Sequence, residues 1–96
     1  MTTYKEYINL GNTLLARGQH KKALKYYKRA LKLEPGHYIA WNNLGSALLA
    51  LGRIPEAQNA YKKALKIKPS YADPLYSLGV IAKTQGQLSQ AMDYFN

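Results

Sequence analysis

The chain has 96 residues, 47% hydrophobic and 20% charged, a composition that predicts one small folded domain with no room for a second unit or a long disordered tail. Fourteen Lys and Arg against five Asp and Glu give a formal net charge of +9, which brings in nucleic acid or an acidic surface as candidate partners. The lack of cysteine excludes disulfides and thiol chemistry, and polar residues break every apolar run short of the ~18 residues a membrane span needs; Met1–Glu6 also lacks a secretory signal, so the expectation is a cytoplasmic, soluble chain.

Thr3 followed by Glu6 fits a capping box and places the first helix start near Tyr4. Tyr7, Leu10 and Leu14 then mark an apolar helical stripe, which Gly18 ends. A second helix follows with Ala23, Leu24, Tyr27, Ala30 and Leu31 on one face, and Pro35 closes it because the residue before a proline is pushed out of helical angles. The third and fourth helices repeat this plan, with Pro55 at a first helical position where its missing N–H is harmless. Pro74 falls in the opening turn of a fifth helix, and Gly86 is expected to end that helix as Gly18 and Gly52 end theirs. A sixth helix, cut off at Asn96, would follow.

These elements recur every 34 residues. Leu10-Gly11 returns as Leu44-Gly45 and Leu78-Gly79, Ala23 as Ala57 and Ala91, and Tyr27 as Tyr61 and Phe95; residues 4–37 and 38–71 are identical at 15 of 34 positions. The units are residues 4–37, 38–71 and a partial 72–96 within a single domain, 1–96. Small residues pairing across each hairpin, Gly11 with Ala23, Gly45 with Ala57 and Gly79 with Ala91, would bring the axes close, with the large aromatics filling the space between hairpins. A hairpin of this size cannot bury its face alone, so stacking has to create the core.

Trp41-x2-Leu44-Gly45-x2-Leu48 with Ala57, Tyr61, Ala64 and Pro69 resembles the tetratricopeptide repeat signature, and Tyr7-x2-Leu10-Gly11-x2-Leu14 with Ala23, Tyr27, Ala30 and Pro35 is similar. Leu75-x2-Leu78-Gly79 with Ala91 and Phe95 is a third, shortened match that departs at Ala82, where a large residue is usual. The resemblance covers Tyr4 to Asn96. It implies an all-α, right-handed superhelical solenoid of helix-turn-helix units, acting as a protein interaction scaffold, with no cofactor.

The residues themselves offer little chemistry. The five carboxylates are scattered, His20 and His37 sit at opposite ends of one helix rather than at metal-ligand spacing, and the glycines belong to the repeat or to a turn. No catalytic or metal residue is expected.

Two surfaces stand out. Asn9, Asn43 and Ser77 share one repeat position, and Asn12, Ser46 and Val80 another one turn later. A carboxamide can donate to and accept from a peptide backbone without reading side chains. This resembles the asparagine ladder of O-linked N-acetylglucosamine transferases, which implies an extended segment in the inner groove on Asn9, Asn12, Asn43, Ser46 and Ser77, with Asp73 and Tyr76 at the far end. Asparagines that cap or bridge helices are the alternative. By contrast, the carboxylate clamp of co-chaperones maps onto Ile8, Asn12, Asn43, Asp73 and Ser77, where all three of its cations are missing. The second surface is a basic ridge, Lys28, Arg29 and Lys32 recurring as Lys62, Lys63 and Lys66, which could take nucleic acid or an acidic surface or be a solvated face near helix C-termini. A third possibility is the substrate-recruiting array of a larger enzyme. Self-association through an open last hairpin, or membership in a longer array, is also expected from the way the repeat stops.

Overall fold

A threonine starts the first helix. Thr3 Oγ1 accepts from the Glu6 amide at 3.3 Å, and its hydroxyl donates toward the Glu6 carboxylate at 3.4 Å, so the reciprocal bond runs between side chains instead of returning to the Thr3 amide. The computed structural model describes residues 2–95, with side chains to Gly86. Its helices are α1 (Tyr4–Ala16), α2 (His20–Leu33), α3 (Tyr38–Ala50), α4 (Ile54–Ile67) and α5 (Ala72–Phe95). No strand occurs among the described residues.

The turns inside the first two units share one construction. At the end of α1 the Gln19 amide donates to the Leu14 carbonyl at 2.8 Å and the Gly18 amide to Leu15 at 3.0 Å, while Gly18 takes φ +76°. Arg53 to Leu48, Gly52 to Leu49 and φ +77° at Gly52 repeat the pattern. This is the double bond pattern of a helix end closed by a left-handed residue, which only glycine adopts without strain. Between units, the His37 imidazole Nδ1 accepts from the Ala40 amide at 3.1 Å and caps α3. The Trp41 indole N–H donates to the Pro35 carbonyl at 2.8 Å, tying the second unit to the loop before it.

Helices pack in chain order, α1 on α2, α2 on α3, α3 on α4 and α4 on α5. The result is elongated, 57 × 28 × 17 Å, with a radius of gyration of 14.8 Å. A compact chain of this length would have about 12–13 Å. Ala23, Ala40, Ala47, Ala57 and Ala64 are wholly buried, which lets neighbouring axes approach closely, and Leu24, Leu31, Leu44 and Leu48 fill the space around them.

Three sequence expectations are corrected here. The atoms nearest a Cβ built on Gly11 belong to the Tyr27 ring, at 2.6 Å, and those nearest Gly45 to the Tyr61 ring, at 2.7 Å. The aromatics therefore lie on the glycines within each hairpin, and Tyr27 and Tyr61 are seated there instead of between hairpins. Leu10, assigned to the buried stripe of α1, is 46% exposed. Its counterpart Leu44 is buried because α3 has α2 on one side and α4 on the other, whereas α1 has only one full neighbour.

The third correction is larger. Gly86 does not end a helix: α5 runs unbroken for 24 residues, so the third unit is not a hairpin, and there is no separate last hairpin to be exchanged between copies. Apart from the helix's own backbone, nothing among the described residues lies within 4 Å of a Cβ built on Gly79 or Gly86. Ending a helix at Gly86 would sacrifice backbone bonds on both sides of the turn, and burial of the returning helix must offset that loss. For α2 and α4, packing against both the preceding and the following helix supplies the burial; the segment after Gly86 has no second neighbour among the described residues. An interior glycine costs only about 1 kcal/mol, so continuing the helix is cheaper. The side chains of Ala91, Tyr94, Phe95 and Asn96 lie outside the described residues.

Candidate functional site

The first helix of each unit carries the amide positions singled out above. Asn9 is exposed on α1, and its backbone carbonyl accepts from Thr13 Oγ1 at 3.0 Å. Asn12 Oδ1 accepts from the Tyr27 hydroxyl at 2.6 Å and from Asn43 Nδ2 at 3.0 Å. The bond from Asn43 to Asn12 crosses from α3 to α1 and joins the two units side by side. Ser46 repeats the role of Asn12: its Oγ lies 3.3 Å from the Tyr61 hydroxyl and donates to the Asn42 carbonyl at 3.2 Å.

One repeated position thus serves the architecture. Asn12 and Ser46 each meet the hydroxyl of the tyrosine seated on their own unit's glycine, and Val80, at that position in α5, has no hydroxyl to meet. The other repeated position keeps spare bonding capacity. Among the described residues the Asn9 carboxamide has no internal partner, and half-buried Asn43 uses its N–H while its oxygen stays unbonded.

The far end differs. Asp73 is exposed at the start of α5 and lies beside the Tyr71 hydroxyl, whose pKa is raised by burial and then by the Asp73 charge and hydrogen bond. Tyr76 is 77% exposed, and Ser77 is half-buried next to it. The structure therefore bonds Asn12 and Asn43 to each other and to Tyr27, bonds Ser46 separately with Tyr61, leaves Asn9 open, and sets the Asp73 charge near Tyr71. Asn42 escaped the sequence reading as a site residue. It is 8% exposed, and its Oδ1 lacks a partner among the described residues; only a polar residue at a position that is Ile8 in the first unit could have signalled it.

Burial pushes the Tyr27 hydroxyl up to about 12 from an ordinary 10.0. A raised folded-state pKa means that the stabilising, protonated form persists below pH 10 and its contribution is lost as pH climbs through about 12. Wild-type chain should therefore lose helical signal in urea more readily as pH rises from 10 to 12, and Tyr27→Phe should flatten that dependence while losing about 1 kcal/mol near neutrality through the vacated Asn12 bond. Equal alkaline slopes for the two proteins would refute the assignment.

On the second helices, Lys28, Arg29, Lys32, Lys62, Lys63 and Lys66 are all exposed. They are not equivalent. Arg29 lies 5.9 Å from the Tyr7 ring centre and 5.5 Å from that of Tyr26; Lys63, one repeat later, lies 4.5 Å from the ring centre of Trp41, itself one repeat after Tyr7. The sequence reading missed this repeated cation on an aromatic face, although the 34-residue spacing of both partners carried the signal. The ion pair between Arg53 and Glu56, with bonds of 2.9 and 2.6 Å, holds the Glu56 pKa below its usual value, chiefly through that hydrogen bond.

The tetratricopeptide repeat sequence profile matches residues 8–72 and 46–96. A search of curated proteins finds no match. Among solved structures, the crystal structure of MamA superposes with a TM-score of 0.86 at 26% identity, covering 98% of this chain and 55% of that one. The chain thus spans little more than half the length of that protein. No described helix is long and apolar enough to cross a membrane.

Proposed function

Because the chain belongs to the tetratricopeptide repeat family, whose repeats generally mediate protein–protein interaction, we propose that it is a non-enzymatic scaffold holding an extended segment of a partner protein along its first helices. The observation that carries this reading is the uneven use of the two amide positions. Asn12 and Ser46 are engaged with Tyr27 and Tyr61, whereas the Asn9 carboxamide and the Asn43 oxygen are left for an outside donor or acceptor. Carboxamides one repeat apart suit the peptide backbone, which presents donors and acceptors at regular intervals. Tyr76 and Ser77 extend the surface at its far end, and Asp73 contributes through Tyr71.

The test is capture of partners from lysate at low and high salt, with wild-type chain and Asn9→Ala/Asn43→Ala. A partner held by neutral hydrogen bonds should survive high salt and weaken by roughly 1–3 kcal/mol in the double variant. Capture that is equal in both proteins would remove the groove from the function.

A further inference from the structure

The second helices hold a charge imbalance that the groove does not use. Six cations lie on α2 and three on α4, and Glu56, the one carboxylate on these two helices, is already bonded twice by Arg53. Lys21, Lys25, Lys28 and Lys32 fall at intervals of three and four residues, so they form one line along α2 about 16 Å long. Lys62 and Lys66 are the counterparts of Lys28 and Lys32 on α4, one repeat later.

Between the two helices lies an open cavity of about 200 Å³. Trp41, Leu44 and Leu48 of α3 and Ala60 of α4 supply apolar walls, Lys28 stands on the α2 side, and Lys63 stands on the α4 side together with Asn59 and with Glu56, whose carboxylate Arg53 already holds. That volume suits a single branched aliphatic side chain. A slot with an apolar floor, a cation on each side and its one carboxylate neutralised by Arg53 is complementary to a segment with one apolar residue flanked by carboxylates.

We propose that this face is a second interaction site, one that takes an acidic polypeptide segment anchored by a single apolar side chain in the cavity walled by Trp41, Leu44, Leu48 and Ala60. Nucleic acid is the poorer fit, because single-stranded binding relies on aromatic faces free to stack on bases. Here Lys63 covers the Trp41 ring, and Arg29 lies over Tyr7 and Tyr26. The site is separate from the first-helix amides, so its failure and theirs are independent.

Trp41 is the only tryptophan in the chain, so its emission reads the cavity directly. The probes are a glutamate-rich peptide with one central leucine, the same peptide with alanine in its place, and single-stranded and duplex oligonucleotides of matching length. The leucine peptide should change Trp41 emission, bind about tenfold or more tightly than the alanine peptide, and weaken as salt rises. Lys28→Glu/Lys62→Glu, at two exposed positions that leave the fold intact by circular dichroism, should weaken it by a further tenfold or more, while Asn9→Ala/Asn43→Ala leaves it unchanged. The proposal is overturned by an unchanged emission with the leucine peptide, by equal binding to the charge-reversed protein, or by tighter binding of either oligonucleotide.

Discussion

Gly45→Leu should abolish cooperative folding of the second hairpin. Even the first atom of the new side chain would sit 2.7 Å from Cε1 of the Tyr61 ring, well inside van der Waals contact. The ring cannot yield, because Tyr61 is 1% exposed and has its hydroxyl beside Ser46. Overpacking of a tight core costs about 1–3 kcal/mol even where neighbours adjust. A leucine pressed against an immobile ring should reach or exceed the top of that range, and a domain of this size has about 5–10 kcal/mol in all. Urea unfolding followed by circular dichroism should show the loss. Gly79 provides the internal control. Sequence alone makes it the third copy of the same glycine, yet no side chain among the described residues approaches its Cβ position, so Gly79→Ala should stabilise α5 by about 0.5–1 kcal/mol through helix propensity. If Gly79→Ala were as damaging as Gly45→Leu, α5 would have to be packed in a way the structure does not show.

The converse change is Tyr61→Ala, which removes the ring and leaves Gly45 facing a void. Deleting a buried aromatic costs about 3–5 kcal/mol, from lost burial and from the cavity left behind. The pairing also makes a sharper statement. Tyr61 and Gly45 compete for one volume, so Gly45→Leu in a Tyr61→Ala background refills the space it would otherwise invade. The double variant should be more stable than the sum of the two single losses predicts, by about 0.5–3 kcal/mol, the range of coupling seen between residues in contact. Strict additivity in the same urea titrations would mean that the two positions do not touch.

Repetition made most of this molecule readable before any coordinates. Two near copies of 34 residues fixed the helices of the first two units, and Thr3, Pro35, Pro55, Gly18 and Gly52 set boundaries that the structure keeps. What repetition misled was the third unit. Gly86 occupies the same sequence position as Gly18 and Gly52, but a left-handed turn forms only where the returning helix is buried, and that depends on neighbours instead of on glycine. The same reasoning explains Leu10, whose pattern matches Leu44 but whose surroundings do not. The amide positions were visible from residue type and spacing. The division of labour between them was not, because it rests on where the Tyr27 and Tyr61 hydroxyls arrive, and hydroxyl positions follow from how the helices pack. Likewise, a lysine in a basic run carries no mark that its charge rests on an indole ring.

Helices that touch almost only the helix before and the helix after have a consequence for how this molecule comes apart. A globule with contacts across its whole interior melts as one body, but a row of this kind loosens from its margins inward. α3, clasped by α2 and α4, is the last to yield, and α5, resting on α4 alone, is the first. The direct tie from Asn43 on α3 to Asn12 on α1 skips over α2 and lends the first two units a shared fate. A partner segment laid across Asn9 and Asn43 would add a second such strut, so its arrival should register as a sharpening of the melting of α1 through α4 as well as an upward shift in its midpoint.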